Sequence, residues 1–155
     1  MDLEQLTRLV PAVVAIARRA GDEILEVYHS GDFGATSKAD DSPLTQADLR
    51  AHRTIVEGLV ALDPAIPILS EESADIPWET RRAWPRYWLV DPLDGTKEFL
   101  SRNGEFTVNI ALIVGHEPVL GVVHVPATGT TYWGIAGAGA FRADGPAVPV
   151  AIRAA

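Results

Sequence analysis

The hydrophobic pattern of the chain changes period once, and this change most constrains the fold. Up to Asp63-Pro64, apolar residues recur at steps of three and four, which predicts two amphipathic helices. The first ends at Ser30-Gly31, and its apolar side holds Leu3, Leu6, Val10, Val13, Val14, Ala17, Ile24, Leu25 and Tyr28. The second begins near Thr45 and presents Leu49, Ile55, Val56, Leu59 and Val60. The polar segment 31–43 between them predicts an exposed loop.

After Pro64 the pattern is that of short apolar β-strands bounded by turn residues. Strands are predicted at 66–69, 87–90, 106–114, 119–125, 130–135 and 138–141, with a last one beginning near Val148. Residues 115–118 read as a hairpin turn between the two longest strands. The predicted fold class is therefore α+β, with two N-terminal helices packed on a mostly antiparallel sheet.

Composition narrows the classes of function. The 155 residues fit one domain and carry a net charge of −8, which disfavours binding to a nucleic-acid backbone or an anionic membrane. The absence of cysteine excludes a disulfide scaffold, a thiolate metal site and a cysteine nucleophile. The acidic start, with Asp2 and Glu4, is unlike a secretory signal, so a cytoplasmic location is expected.

Carboxylates follow two of the predicted strands at the point where each strand ends. Glu71 and Glu72 come after the strand ending at Leu69, and Asp91 and Asp94 after the one ending at Val90. If these strands are neighbours, Glu71, Asp91 and Asp94 converge, and three carboxylates repel one another unless a cation neutralises them. Oxygen ligands of this kind suit Mg²⁺.

Simpler interpretations stand beside this one. Glu71-Glu72 alone is more typical of a solvated acidic turn, and Asp41 of a solvated loop. Asp48 could close a capping box begun by Thr45. The histidines show no ligand spacing and are assigned no role: His29, His52, His116 and His124.

The segment 91–99 carries the sharpest local signal. Pro92 restricts the backbone between the two aspartates, and Gly95 removes a side chain just before Thr96. Thr96 is expected to open a short helix, whose first N–H groups suit a phosphate. One turn would thus supply two metal carboxylates and a place for a phosphate.

These motifs resemble those of a known family. Residues 70–73 (SEES) and 88–96 (WLVDPLDGT), with 41–48 (DSPLTQAD) upstream and 103–112 (NGEFTVNIAL) downstream, are similar to the inositol monophosphatase-like, Mg²⁺-dependent, lithium-sensitive phosphatases. Residues 97–99 (KEF) and 103–107 (NGEFT) resemble the 3'(2'),5'-bisphosphate nucleotidase branch. The resemblance implies the first half of a layered αβαβα sugar-phosphatase fold.

The resemblance also implies a role for each matching residue. The Mg²⁺ ligands would be Glu71, Asp91, Asp94 and the carbonyl of Leu93. Asp48 and the Thr96 hydroxyl would orient the attacking water, and Gly95 and Thr96 would hold the scissile phosphate. Glu72 would assist a third, weaker ion or its waters. Lys38, as a substrate contact, and Asp41 fall in a loop that covers the site in relatives.

The expected activity is that of a Mg²⁺-dependent phosphomonoesterase converting 3'-phosphoadenosine 5'-phosphate to AMP and phosphate. Inositol phosphates and sugar bisphosphates are the alternative substrates.

Relatives carry a second αβ half with a Trp-Asp motif, and these 155 residues contain no such pair. The chain is therefore expected to be the N-terminal metal-binding domain, over residues 1–155, without that half. A non-catalytic metal-binding half is the alternative function. The expected partner is a small phosphorylated molecule, and neither binding to a nucleic-acid polymer nor membrane insertion is expected. The oligomeric state is left open, with a homodimer as one outcome.

Overall fold

The structure, a computed structural model, describes residues 1–30, 42–70 and 75–153. Within these ranges the helices are α1 (Leu3–Tyr28), α2 (Pro43–Leu62), α3 (Trp78–Arg81) and α4 (Thr96–Ser101). The strands are β1 (Ile68–Ser70), β2 (Arg86–Asp94), β3 (Thr107–Val114), β4 (Glu117–Val125), β5 (Thr130–Ile135), β6 (Gly139–Asp144) and β7 (Val150–Ile152).

The strands form a single sheet in chain order, from β1 at one edge to β7 at the other. β1 runs parallel to β2, and every later pair is antiparallel. Helices α1 and α2 contact each other and pack on one face of the sheet, α1 against β3, β4 and β5, and α2 against β2. The predicted α+β class and the mostly antiparallel sheet are confirmed.

The core lies between the two long helices and the sheet. The helices contribute most of the apolar residues predicted from their periodicity, whereas the predicted Leu3, Leu49 and Val60 are exposed. Five of them are fully buried: Val13, Ala17, Ile24, Ile55 and Leu59. The inner face of the sheet contributes Trp88, Val90, Val108, Ile110, Leu112, Leu120 and Val122. Burial of alternate strand residues against one helix layer is the expected arrangement for such a sheet.

Several details differ from the prediction, among them the end of β6, which lies at Asp144 rather than at residue 141. β2 does not end at Val90 but continues to Asp94, and α3 was not predicted. The start of α2 also differs, because Ser42 is its N-cap and accepts a hydrogen bond from the backbone N–H of Thr45. Pro43 occupies the first helical position, where its missing N–H costs nothing. The capping interpretation of Thr45 and Asp48 is therefore wrong, and Asp48 lies in the second turn.

No helix in the described ranges combines the length and the apolar composition that a membrane span requires.

Candidate active site

A β-bulge at the end of β2 brings two carboxylates to the same face of the sheet. Asp91 pairs with Asn109 of β3 and Asp94 pairs with Thr107, so three steps along β2 match two steps along β3. In a regular strand, residues three apart point to opposite faces. The one extra residue of the bulge reverses this relation and re-aims the side chain of Asp94.

The sequence explains why the bulge occurs here. Pro92 cannot donate a ladder hydrogen bond, and proline in an interior strand is confined to positions such as bulges. Pro92 and Leu93 are both buried, whereas Asp91 is half-buried and Asp94 is exposed. The apolar pair thus anchors the irregular backbone, while the two carboxylates on either side of it stay accessible to solvent.

Asn109 connects the two strands at this point. Its Nδ2 donates to Oδ2 of Asp94 at 3.2 Å, and its Oδ1 accepts from the Thr107 hydroxyl at 3.4 Å. Asn109 also lies directly opposite Asp91 in the ladder. One residue of β3 is therefore a neighbour of both carboxylates.

Gly95 turns the chain from β2 into α4. Its φ of 95° and ψ of 51° are left-handed, a conformation that favours glycine. A Cβ at this position would lie 3.2 Å from the Cα of Phe106 and 3.4 Å from the carbonyl oxygen of Glu105. The predicted helix start at Thr96 is confirmed, and the turn that precedes it requires glycine for both conformation and space.

An aromatic cluster fixes α4 to the rest of the molecule. Phe99 of α4 packs on Tyr28 of α1 and on Phe106, with ring centroids 5.6 and 5.4 Å apart, and Tyr28 and Phe106 lie 4.9 Å apart. Phe99 and Phe106 are fully buried. The exposed Thr96 therefore stands on a short helix that the core holds through Phe99.

Helix α2 carries Asp48, which is half-buried. This helix contacts both β2 and α4, the two elements that hold Asp94 and Thr96. Arg50, two residues on, bridges to α1 by donating from Nε to Oε2 of Glu23 at 2.7 Å and by an ion pair with Glu26. Helix α2, which carries Asp48, thus lies against both the strand that ends in Asp94 and the helix that begins at Thr96.

The strands preceding the two predicted acidic clusters are neighbours, as the convergence hypothesis required. β1 and β2 are parallel, and Ser70 pairs with Val90. Asp91 directly follows Val90, and Glu71 directly follows Ser70 in the sequence. Glu71, Glu72, Lys38 and Asp41 themselves lie outside the described residues.

Three oxygen donors among the described residues have the chemistry that a magnesium site requires. Asp91, Asp94 and the Leu93 carbonyl are hard oxygen donors from one bulged segment, which suits Mg²⁺ because this ion keeps several waters and needs few protein ligands. Within the described ranges, no group of three or more acidic or histidine side chains is arranged to hold a metal. The donor chemistry fits the ion, and the third expected carboxylate, Glu71, belongs to the part not described.

An apolar groove of about 610 Å³ borders the carboxylates on the outer face of the sheet. Asp91 and Asn109 are among the residues that line it, and its apolar walls include Leu69, Leu89, Ala111 and Val123. Leu89 and Val123 are 44% and 38% exposed.

Sequence reasoning missed one contact near the site. The Nδ1 of His52, on α2, lies 3.2 Å from the hydroxyl oxygen of Ser70 at the end of β1. The signal that could have found it is spacing, because His52 follows Asp48 by four residues and therefore shares its helix face.

Comparison with known proteins places this arrangement in a family. The sequence matches the inositol monophosphatase family over residues 5–153. It is 56% identical over 126 residues to the 3'(2'),5'-bisphosphate nucleotidase CysQ of Escherichia coli O157:H7, covering 80% of this chain and 50% of that protein. The protein of the same name from Aggregatibacter actinomycetemcomitans is 44% identical over 136 residues, covering 88% of this chain and 50% of that protein.

Solved structures show the same relation. The fold is similar to the crystal structure of CysQ from Bacteroides thetaiotaomicron, with a TM-score of 0.82 at 44% identity, covering 93% of this chain and 51% of that one. Mycobacterium tuberculosis SuhB gives a TM-score of 0.76 at 25% identity, covering 97% of this chain and 53% of that one. The chain spans about half the length of the curated relatives it matches. Because the family match extends over nearly all of its residues, the chain belongs to the inositol monophosphatase family.

Proposed function

We propose that these 155 residues form the N-terminal metal-binding domain of a Mg²⁺-dependent phosphomonoesterase that acts on 3'-phosphoadenosine 5'-phosphate. The observation that carries the proposal is the bulge that turns Asp91 and Asp94 to one face, with Asn109 hydrogen-bonded to Asp94. The substrate class is supported by the curated relatives named 3'(2'),5'-bisphosphate nucleotidase CysQ at 44–56% identity.

The residues divide into metal ligands and groups that act on the phosphate and water. Asp91, Asp94 and the Leu93 carbonyl, together with Glu71, would hold the metal, and Glu72 would contact a further ion or its waters. When bound, Mg²⁺ lowers the pKa of a water and neutralises charge on the phosphoryl oxygens. Most of the catalytic effect in phosphoryl transfer comes from such positioning and electrostatics.

Asp48 and Thr96 would orient the attacking water. Asp48 accepts a hydrogen bond as a carboxylate, and the Thr96 hydroxyl can donate one, so the pair can fix a water between them. The contact between α2 and α4 supports this pairing. Gly95 and Thr96 lie at the start of α4, where the first N–H groups have no partner within the helix and can bind the phosphate. Lys38, as a substrate contact, and Asp41 complete the proposal, and both are supported by the sequence resemblance alone.

Phosphate release tests the proposal. The chain is incubated with 3'-phosphoadenosine 5'-phosphate, with inositol 1-phosphate and with fructose 1,6-bisphosphate, each with and without Mg²⁺. We expect Mg²⁺-dependent release from the first substrate, loss of release in Asp94→Asn, and parent activity in Glu117→Gln, an exposed carboxylate in the β3–β4 hairpin. Release by Asp94→Asn at the parent rate would contradict the site. Preference for either of the other substrates would replace the proposed substrate class.

A non-catalytic metal-binding half is the second candidate, since Asp91, Asp94 and the Leu93 carbonyl could hold an ion without any turnover of a phosphate ester. It predicts that Mn²⁺, which accepts the same oxygen ligands, binds to the parent chain and not to Asp94→Asn, while phosphate release is absent from both. The cytoplasmic location and the homodimer expected from the sequence stay predictions. Size-exclusion chromatography over a range of concentrations decides the second of these.

A further inference from the structure

His52 joins the helix that carries Asp48 to the strand end that leads into Glu71. It lies on α2, half-buried, and its Nδ1 is 3.2 Å from Oγ of Ser70. Ser70 is 4% exposed and is the last residue of β1. A hydroxyl at that depth needs a hydrogen-bond partner, and the imidazole supplies one.

Both ends of this contact are adjacent to the proposed machinery. Asp48 and His52 are four residues apart on one helix, so they occupy the same face one turn from each other. Ser70 pairs in parallel register with Val90, the residue before Asp91, and it directly precedes Glu71 in the sequence. The contact therefore links α2, which carries the proposed water-orienting residue Asp48, to the end of β1, the strand that pairs with β2 just before Asp91.

We propose that His52 is a positioning residue for the metal site, acting through Ser70. The imidazole–hydroxyl contact fixes α2 against the end of β1, which pairs with β2, and so sets how far Asp48 lies from Asp91. This inference rests on the proposed function, since it requires a metal site at the end of those strands. Neither residue touches the metal or the substrate in this scheme.

The hydrogen bond is the feature to alter while the packing is kept. His52→Phe retains a planar ring of similar size but cannot hydrogen-bond, and Ser70→Ala removes the other partner. His52→Asn places an amide near the Nδ1 position and serves as the conservative variant. His116→Phe, at an exposed position in the β3–β4 hairpin, is the matched control.

The measurement is the affinity of each variant for Mn²⁺, followed by electron paramagnetic resonance of the free ion, alongside urea denaturation. Mutating a direct outer-shell partner of a metal ligand typically weakens binding 10–100-fold. Because His52 acts one residue further away, we expect roughly 3- to 10-fold weaker binding in His52→Phe and in Ser70→Ala. His52→Asn should recover most of the affinity, and His116→Phe should equal the parent.

The double variant separates positioning from independent effects. If His52 and Ser70 act as one unit, His52→Phe combined with Ser70→Ala should bind Mn²⁺ no more weakly than either single variant. Equal Mn²⁺ affinity in the parent and in folded His52→Phe would overturn the inference while leaving the metal site intact. Failure of the parent itself to bind Mn²⁺ would overturn the proposed function, and this inference with it.

Discussion

Asn109 donates a hydrogen bond to Asp94 at 3.2 Å while standing directly opposite Asp91 in the β2–β3 ladder. This relation exists because the bulge at Pro92-Leu93 shifts the register by one residue. A carboxylate held by an amide donor has fewer accessible orientations than one without a hydrogen-bond partner, and a metal ligand fixed in this way loses less conformational entropy when the ion binds. The geometry of the site is thus determined by a residue on the neighbouring strand.

Asn109→Ala should weaken metal binding without unfolding the protein. The variant removes the amide that orients Asp94, and the loss of such outer-shell partners typically costs about 10–100-fold in metal affinity. Mn²⁺ titration of the parent and the variant measures the effect. Asn103→Ala, at an exposed asparagine outside the sheet, is the control and should bind as the parent does. Equal affinity in Asn109→Ala would show that Asp94 needs no support from β3.

Gly95→Ala should reduce both stability and phosphate release. The left-handed backbone costs a non-glycine residue about 1–2 kcal/mol, and the new Cβ would also crowd the backbone of Phe106 at 3.2 Å. Gly137→Ala is a matched control, because Gly137 has a φ of 89° and a Cβ added there would meet no heavy atom within 4 Å. Urea denaturation should show a larger loss for Gly95→Ala, and only this variant should lose activity. Equal losses in the two variants would mean that crowding at Gly95 is relieved at no cost.

Phe99→Leu should weaken the attachment of α4 to the core. It should therefore lower phosphate release markedly while lowering the free energy of unfolding only moderately. Phe99 is fully buried between Tyr28 and Phe106, and truncating it to alanine would cost about 3–5 kcal/mol, with leucine costing less. The expected result is a moderate drop in the free energy of unfolding with a marked drop in phosphate release. Phe141→Leu, in a half-buried aromatic pair with Trp133, should lose stability without losing activity. Unchanged activity in Phe99→Leu would contradict a role for this cluster in holding Thr96.

His124 should make the protein less stable as the pH falls. Burial, and to a smaller extent the nearby Arg18 charge, lowers the pKa of His124 to about 4, against an opposing effect of Asp22. The unfolded chain has a histidine pKa near 6.5, so between about pH 6.5 and pH 4 it binds a proton that the folded chain does not. The free energy of unfolding therefore falls as the pH drops through this range, by about 1–2 kcal/mol between pH 7 and pH 5.

Urea denaturation at pH 7 and pH 5 measures this dependence. The Nδ1 of His124 lies 2.8 Å from the Thr131 hydroxyl, and His124→Asn keeps a polar atom there but does not titrate. The variant should lose less stability than the parent between the two pH values. His116→Asn, at an exposed histidine, should keep the parent's pH dependence. An identical slope in His124→Asn and the parent would assign the pH dependence to other groups.

The sequence by itself determined the elements and the local chemistry. Before Pro64, apolar residues recur every three or four positions, and this predicted the two helices. The short apolar runs after Pro64 predicted the strands. Both predictions were possible because side-chain periodicity follows from backbone geometry alone. The turn at Gly95-Thr96 was also predictable, since glycine and the helix start act over a few residues. The extension of β2 through Pro92 was not, because an isolated proline normally ends a strand.

Only the tertiary structure decided which groups meet. The parallel pairing of Ser70 with Val90, the contact of Asn109 with Asp94 and that of His52 with Ser70 join residues 15 to 20 positions apart. Such contacts depend on strand register and on where a helix docks, and a shift of one residue in the ladder would turn Asp94 to the opposite face. The sequence identified Asp91 and Asp94 as candidate ligands, and the bulged register of β2 on β3 decided that both lie on the same face of the sheet.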